Sequence, residues 1–262
     1  MRMSLLITTY ERPKALSAVL RSVGRQKRPP DEVLVGDDGS GPETEAVIKK
    51  HKDDGLPLRH IWQPHDGFRA GRSRNGCIAA STGEYLVFID DDILLHRDFL
   101  ADHEAAAKAG FFVQGSRALL DEETSRKAMA EEAYWPALFS PGLEKRKSLV
   151  RSPFLRRLFS GKSRGLNGIR SCNFALWRDD CVKVNGFNED FVGWGREDSE
   201  FASRLLNSGL RRHNLRFAAL VCHLHHPLRS RGNLTRNDSL LAETVNSGAA
   251  RCERGLNLHM SR

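Results

Sequence analysis

The sequence predicts an α/β protein with a mainly parallel central sheet flanked by helices. Short apolar segments alternate with helical patterns through roughly the first hundred residues, and this alternation is typical of parallel strands joined by crossover helices. The apolar segments are nearly continuous, which indicates strands buried on both faces. The chain has 262 residues, 40% of them hydrophobic, so it can form a large core without a disulfide or zinc site.

Each predicted element has a local signal in the sequence. The first helix follows from Pro13, which suits a first turn, and from an apolar residue recurring along one helical face. That face consists of Leu16, Val19, Leu20 and Val23. The predicted strands are residues 4–8, 32–36, 58–62 and 85–89, and the predicted helices are 13–25, 43–50 and 71–80.

A strongly basic segment follows the point, near residue 110, at which the pattern becomes less regular. Residues 145–170 contain nine lysines and arginines and no acidic residue. A helix within them would place Arg156 and Arg157 opposite an apolar face. That face would consist of Phe154, Leu155, Leu158 and Phe159. We interpret 145–170 as a mobile basic flap that contacts a membrane surface; the alternative is a solvated loop with a few buried anchors.

Charge and cysteine usage narrow the class of protein. The net charge of +8 favours an anionic partner, and nucleic acid, anionic lipid and a nucleotide diphosphate all qualify. The five cysteines are dispersed without a CxxC pair, so we expect reduced, packed thiols. The first residues fit a buried strand better than a signal peptide, and no segment reaches the ~20 apolar residues of a membrane span. We therefore expect a cytoplasmic protein.

Two acidic clusters follow predicted strands. Asp90, Asp91 and Asp92 come directly after the apolar strand 85–89, and three adjacent carboxylates repel one another unless a cation neutralises them. Magnesium or manganese suits such oxygen ligands and keeps positions open for phosphate oxygens. The alternative is an acidic turn that caps a helix. Residues 37–40 (Asp-Asp-Gly-Ser) follow another strand and by themselves fit an ordinary turn.

Four motifs in order, at residues 8–13, 37–40, 71–75 and 90–92, make the chain resemble glycosyltransferase family 2, which has the GT-A fold. The resemblance implies that Thr8 and Tyr10 flank the nucleoside and that Asp38 holds the uracil or ribose. Arginine forks match phosphate oxygens independently of any resemblance. The implied nucleotide-sugar-binding residues are Thr8, Tyr10, Arg12, Asp38, Arg69, Arg72, Arg74, Asp90 and Asp91, with Asp92 as a metal ligand.

A second resemblance covers residues 184–201, which are similar to the C-terminal signature of β-1,4-galactosyltransferases and bacterial chondroitin-type polymerases. Inverting glycosyl transfer needs a carboxylate that takes the proton of the acceptor hydroxyl, and we assign this role to Asp198. Glu197 is expected to bind the acceptor or steady the donor sugar, and Trp194 to offer a ring face to the acceptor. The family usually has glycine where Arg196 stands, and this arginine adds charge beside the acceptor.

Three histidines within residues 223–226 offer a ligand that would complete the metal site. The related galactosyltransferases use a histidine downstream of the acidic signature, and the spacing indicates His226 first and His223 second. A packed core histidine is the alternative. Residues 171–178 resemble the strand before the signature, and Asn173 in that strand is predicted to contact the donor sugar.

Together these expectations describe a nucleotide-sugar-binding half (1–110), an acceptor-binding half (111–226) and a weakly structured tail (227–262). The predicted enzyme uses Mn²⁺ or Mg²⁺ to transfer a hexose or N-acetylhexosamine, with galactose as first choice, from a UDP-sugar to a saccharide or lipid-linked saccharide. Some retaining families carry a similar signature, so retention stays open. The alternatives are a sugar-nucleotide nucleotidyltransferase, although residues 8–14 lack the usual glycines, and a basic nucleic-acid-binding domain, in which the acidic clusters would repel phosphate.

Overall fold

The computed structural model describes residues 1–163, 165–227 and 232–260. The strands are β1 (Met3–Thr9), β2 (Glu32–Asp37), β3 (Leu58–Trp62), β4 (Tyr85–Asp90), β5 (Ile93–Leu95), β6 (Phe111–Gln114), β7 (Ala118–Leu120), β8 (Leu143–Glu144), β9 (Gly161–Ser163), β10 (Phe174–Trp177), β11 (Arg211–Asn214) and β12 (Val221–His223). The helices are α1 (Pro13–Gly24), α2 (Pro42–Asp53), α3 (Ala70–Ala80), α4 (Phe99–Ala106), α5 (Glu122–Ala130), α6 (Pro153–Phe159), α7 (Arg178–Lys183), α8 (Glu197–Asn207) and α9 (Leu234–Ser247).

The larger sheet has the order β3-β2-β1-β4-β10-β6-β11-β9 in the described chain. Strands β3, β2, β1 and β4 are parallel neighbours, while β10 runs antiparallel between β4 and β6. All four strands and three helices predicted for the first ninety residues are confirmed. The α/β class with a mainly parallel, helix-flanked sheet is therefore confirmed as well.

Apolar cores cover both faces of the sheet. Leu5 and Ile7 of β1 point into the core beneath α1, whereas Leu6 between them packs with Phe88 and the residues of α3 and α8. This alternation explains why the strands read as continuous apolar runs. Gly36 lies close to α3, because a Cβ atom there would be 2.5 Å from the Ser73 hydroxyl. The glycine thus lets α3 approach the sheet.

A smaller sheet, β5-β12-β7-β8, lies beside the carboxyl end of β4. In this sheet His223 is paired with Ile93, and the Leu224 amide donates to the Asp92 carbonyl at 2.8 Å. The turn after β4 is thereby fixed against the end of β12. Residues distant in sequence, the acidic triplet and the histidine segment, meet as a result.

Two irregular segments were considered in the sequence. The basic segment 145–170 contains the expected helix as α6, and its strand β9 joins the edge of the larger sheet through β11. The prediction of a weakly structured tail is wrong for the described residues after 231, because they form the fourteen-residue helix α9 and bury Leu256. All five cysteines are buried and free, as expected. Within the described ranges no helix combines the length and apolarity needed to cross a membrane.

Candidate active site

A cavity of about 900 Å³ opens at the carboxyl ends of β1, β2 and β4. This is the edge at which open α/β sheets bind their ligands. Most of the side chains singled out in the sequence line it. They are Thr8, Tyr10, Asp38, Arg74, Asp90, Asp91, Asp92, Trp194, Arg196, Glu197, Asp198, His223 and His226.

The acidic triplet is held by the end of β1. The Thr8 hydroxyl donates to Asp90 at 3.0 Å, and the Thr9 hydroxyl donates to Asp91 at 2.8 Å. Arg12 reaches the triplet from the start of α1, with its Nη1 atom 3.2 Å from Asp91 and 2.6 Å from Asp92. Burial, with the charge of Asp92, raises the pKa of Asp91 to about 7. Arg12 contacts only two of the three carboxylates and by itself cannot balance the negative charge of the triplet.

Asp92, His223 and His226 form a cluster with the donor set of a metal site. One ligand atom from each residue lies within 4.8 Å of the other two, and both histidine Nε2 atoms are 3.5 Å from the Asp92 carboxylate. Two imidazoles and a carboxylate suit zinc, manganese or iron by chemistry alone. The cluster therefore brings together the three residues expected to bind a metal.

The hydrogen bonds around this cluster leave acceptor atoms that a bound cation would contact. His226 Nδ1 lies 2.7 Å from the carbonyl of Pro227, which can only accept, so Nδ1 is the donor and Nε2 is the ring nitrogen that faces Asp92. Burial lowers the pKa of His223 to about 4, so its ring is neutral at pH 7. Among the described residues the buried Oδ1 of Asp92 has no hydrogen-bond partner. Lone pairs thus converge where a divalent ion would satisfy them.

The other end of the cavity offers a platform of two rings. Tyr10 stacks on His65 with ring centroids 4.2 Å apart and planes 7° from parallel. Asp38 lies beside them and accepts hydrogen bonds from Gln63 at 2.6 Å and from the Arg69 amide at 3.1 Å. The arrangement can hold a planar base and its ribose hydroxyls.

The wall opposite the acidic triplet begins at the start of α8. The Ser171 amide donates to Asp198 at 2.9 Å, and the Gly195 amide donates to Glu197 at 3.1 Å. Burial, with the charge of Asp198, raises the pKa of Glu197 to about 7. The Glu197 and Asp198 carboxylates therefore lie side by side in the cavity wall, each held by a different backbone amide.

Arg74 bridges the two walls. Its guanidinium lies 3.1 Å from Asp90, 3.3 Å from Asp198 and 3.7 Å from Glu197, and it packs over the Phe187 ring at 5.1 Å. Burial alone would lower the pKa of Arg74, but the three carboxylates raise it. The side chain holds the donor-side and acceptor-side acids at a fixed separation.

Arg196 occupies a backbone position that favours glycine. Its φ of 76° lies in the left-handed region, where a non-glycine residue costs roughly 1 kcal/mol. Its guanidinium pairs with Asp238 of α9, and Asn237 of the same helix donates to the Gly195 carbonyl at 2.9 Å. Helix α9 therefore clamps the loop that carries the acidic pair.

Four predicted residues do not line the cavity. Arg12 instead contacts Asp91 and Asp92 of the triplet, and Arg69 pairs with Asp66 at 2.6 Å. The charge of Arg72 helps to lower the pKa of Glu189. Asn173, predicted to contact the donor sugar, is instead buried. Its amide bonds His103 at 2.9 Å and the carbonyls of Ser116 and Ala219, so its hydrogen-bonding capacity is used inside the fold.

Sequence reasoning missed two contributors to the cavity. Arg117 lines it; its Nη1 donates to the Cys172 sulfur at 3.1 Å, and its buried Nε has no hydrogen-bond partner within the described chain. Leu234 and Leu241 of α9 form another part of the wall. A lone arginine beside a three-residue strand carries no local signal in the sequence.

The fold and this cavity define the class of the protein: it has the GT-A fold of the glycosyltransferases. The chain belongs to glycosyl transferase family 2, whose model matches residues 4–174. A second model, described as the N-terminal domain of galactosyltransferase, matches residues 159–227. Both resemblances are therefore confirmed, and they favour the transferase over the nucleotidyltransferase and nucleic-acid-binding alternatives.

Curated relatives share this assignment at low identity. Validoxylamine A glucosyltransferase of Streptomyces hygroscopicus subsp. limoneus is 28% identical over 79% of this chain and 48% of its own. Chondroitin synthase of Escherichia coli is 26% identical over 79% of this chain and 32% of its own. The chain thus spans about half the length, or less, of these relatives.

Solved structures confirm the fold. Staphylococcus aureus TarS 1-349 in complex with UDP has a TM-score of 0.65 at 18% identity, covering 93% of this chain and 65% of that one. The mannosyltransferase PcManGT from Pyrobaculum calidifontis, in complex with GDP-Man and Mn²⁺, has a TM-score of 0.63 at 18% identity and covers 94% and 64%. At this identity the likeness concerns the fold alone.

Proposed function

We propose that the protein is a metal-dependent, inverting glycosyltransferase that moves a hexose or N-acetylhexosamine from a UDP-sugar to a saccharide hydroxyl. The observation that carries the proposal is the Asp92, His223 and His226 cluster on one side of a cavity whose other side presents Glu197 and Asp198. A donor diphosphate fits the first side, and a nucleophilic hydroxyl fits the second.

Asp198 is proposed as the general base. The acceptor hydroxyl oxygen forms a bond to the anomeric carbon, the bond from that carbon to the diphosphate oxygen breaks, and the hydroxyl proton passes to the Asp198 carboxylate. The Ser171 amide and Arg74 orient this carboxylate. Glu197 is proposed to bind an acceptor or donor-sugar hydroxyl, and the half-exposed ring of Trp194 to support the acceptor sugar.

The donor is proposed to bind from the ring platform to the acidic triplet. Tyr10 and Asp38 hold the nucleoside, and Thr8, Asp90 and Asp91 hold the ribose and the sugar. Arg117 is added here, because its guanidinium lines the cavity and its Nε has no partner within the described chain, so it suits a diphosphate oxygen. Asp92, His223 and His226 would hold Mn²⁺ or Mg²⁺, which when bound offsets the charge of the leaving diphosphate.

The acceptor is proposed to be a saccharide of cell-surface polysaccharide or lipopolysaccharide synthesis, reached from the cytoplasmic side. Two relatives support this class: chondroitin synthase, and the Campylobacter jejuni GalNAc(5)-diNAcBac-PP-undecaprenol β-1,3-glucosyltransferase, which is 26% identical over 73% of this chain. The match to a galactosyltransferase domain model supports galactose as the first donor to assay.

Calorimetric titration with UDP tests the donor site. We expect UDP to bind in the presence of Mn²⁺, and to bind at least ~10-fold more weakly when the metal is omitted or when Asp92→Asn removes the charge of one ligand. Asp53→Asn is the matched control, because Asp53 is exposed at the end of α2. Tight binding by a folded Asp92→Asn protein, or binding indifferent to metal, would contradict the proposal.

Single-turnover rates test the base. Asp198→Asn is expected to lower the rate of sugar transfer by a factor of ~10²–10⁴ while leaving UDP affinity unchanged. Glu197→Gln is the neighbouring comparison, and it is expected to affect acceptor affinity more than rate. If Glu197→Gln abolishes transfer and Asp198→Asn preserves it, the two roles are the reverse of those proposed.

A further inference from the structure

The surface around α6 exposes bulky apolar side chains. Phe154, Leu158 and Phe159 are 70%, 60% and 52% exposed, and no residue of this helix is buried. Single exposed apolar residues are ordinary, but three on one seven-residue helix form a protruding ridge. The ridge needs a partner that accepts apolar side chains.

The helix that carries this ridge is fixed to the protein rather than loose. The Ser152 side chain caps it by accepting from the Leu155 amide at 3.3 Å, and the Ser152 amide donates to the Phe217 carbonyl at 3.0 Å. At the other end the Ser160 hydroxyl bonds the Arg216 carbonyl, and the Phe159 and Phe217 rings pack 5.6 Å apart. The ridge is therefore presented in a defined orientation.

Several cations lie on or near α6. Lys108 and Lys162 lie over the Phe111 ring, at 5.4 and 5.5 Å from its centroid. Burial, together with the charges of Arg156, Lys108 and Lys162, lowers the pKa of His213. Arg157 is exposed on α6 itself. Segment 145–170 contains no acidic residue that would neutralise these charges.

We propose that this α6 surface, formed by Phe154, Leu158 and Phe159 with Arg156, Arg157, Lys108 and Lys162, docks on an anionic lipid bilayer. Inserted aromatic and aliphatic side chains with flanking cations are the recognised physical basis of interfacial binding. A second copy of this chain is disfavoured, because two such surfaces would bring like charges together.

The position of this surface connects it with the cavity. Residues 166–170, which follow β9, line the cavity, so the docked segment and the acceptor side belong to the same stretch of chain. An acceptor anchored in the bilayer would then approach the site from the docked face. Only this consequence depends on the proposed function; lipid binding itself does not.

Vesicle flotation tests the proposal. The wild-type protein is expected to float with vesicles of phosphatidylcholine mixed with phosphatidylglycerol, to float much less with phosphatidylcholine alone, and to be released by high salt. Arg156→Gln/Arg157→Gln is expected to weaken binding ~10-fold or more, and Phe154→Ser/Leu158→Ser to weaken it at every salt concentration. The matched controls, Lys49→Gln/Lys50→Gln and Leu258→Ser, remove exposed residues elsewhere and should bind like the wild type.

Three outcomes would overturn the proposal. They are equal flotation of the α6 variants and the controls, failure of the wild type to bind either vesicle, and binding of single-stranded DNA in place of vesicles. Loss of self-association in Phe154→Ser/Leu158→Ser without any vesicle binding would assign the surface to a second copy and also reject a lipid partner. UDP titration of the same variants separates this result from a failure of the donor site, because none of the substituted residues lines the cavity.

Discussion

Two buried arginines in this protein illustrate opposite uses of the same chemistry. Arg204 meets Glu200 in a two-pronged ion pair at 2.8 and 2.9 Å, with both side chains 1% exposed. Arg74 is nearly as buried but faces three carboxylates across a cavity. The first pair is balanced charge for charge, whereas the second cluster keeps excess negative charge. A balanced pair can stay buried without any further partner, whereas an unbalanced cluster can take up a cation, a proton or a substrate hydroxyl.

The largest effect is expected from breaking the balanced pair. Arg204→Met leaves Glu200 buried without its partner, so the free energy of unfolding should fall by ~3–5 kcal/mol. Urea denaturation measures this. The double variant Arg204→Met/Glu200→Met removes both charges and should recover most of the lost unfolding free energy. If the double variant is as unstable as Arg204→Met, the unpaired charge of Glu200 is not the cause of the loss.

Breaking the unbalanced cluster should affect catalysis more than stability. Arg74→Met releases Asp198 and Asp90 from their fixed separation, and we expect the rate of sugar transfer to fall ~100-fold. The fall in unfolding free energy should be less than half that of Arg204→Met, because the freed acids border a cavity and can bind protons. Arg74→Lys, which keeps the charge but not the fork, should restore stability without restoring rate. Equal losses of unfolding free energy in Arg74→Met and Arg204→Met would show that the two buried arginines do not differ in this way.

His103 and Asn173 form a buried pair without a charge, and this pair extends the comparison to the dependence of stability on pH. His103 is fully buried against Asn173, and burial lowers its pKa to about 4, below the ~6.5 of an unfolded histidine. The unfolded chain therefore binds the proton first, so stability is complete above about pH 6.5 and falls as the pH drops toward 4. Between pH 7.5 and 5 this group should cost about 2 kcal/mol of unfolding free energy.

The control for this pH effect is His103→Gln, which keeps a donor for Asn173 but does not titrate. Its unfolding free energy should depend less on pH over the same interval by the amount assigned to His103. If denaturation curves of the variant and the wild type shift in parallel between pH 7.5 and 5, other groups account for the pH dependence.

The smallest effect is expected at Arg69. Its guanidinium pairs with the exposed Asp66, and exposed pairs contribute ~0–1 kcal/mol. Arg69→Gln should therefore leave UDP affinity within about twofold of the wild type, in contrast to Arg117→Gln, which removes a cation from the cavity. Calorimetry on both variants distinguishes them, and a large loss at Arg69 would mean that the loop before α3 moves onto the ligand.

The first ninety residues were predictable because their elements carry their own signals. Leu16 and Leu20 of α1, for example, are four residues apart, which places them on one helical face, and both are fully buried. The carboxylates after β4 were predictable because three adjacent acidic residues after an apolar strand need a physical reason, and the assumption of parallel strands places them at the sheet edge. The acidic pair at the start of α8 was predicted only from its resemblance to the galactosyltransferase signature.

The rest depended on contacts that no local pattern encodes. Helix α9 was underestimated because the residues that it buries are Asn237 and Thr244, which hold it through hydrogen bonds to the Gly195 carbonyl and the Glu200 carboxylate. Asn173 looked suitable for a sugar because an amide is polar, but its partners come from chain segments far away in sequence. The bridging role of Arg74 likewise appears only after folding brings α3 and α8 together.

The cavity wall joins the two ends of the described chain. Thr8 of β1 and Leu241 of α9 both line it, although more than two hundred residues separate them in the sequence. During synthesis the nascent chain therefore displays its aspartates and its acidic pair well before α9 emerges to close the wall. The cavity can become complete only after α9 has been synthesised, so a ribosome that stalls before that point leaves a chain with the acidic side chains but an unfinished cavity.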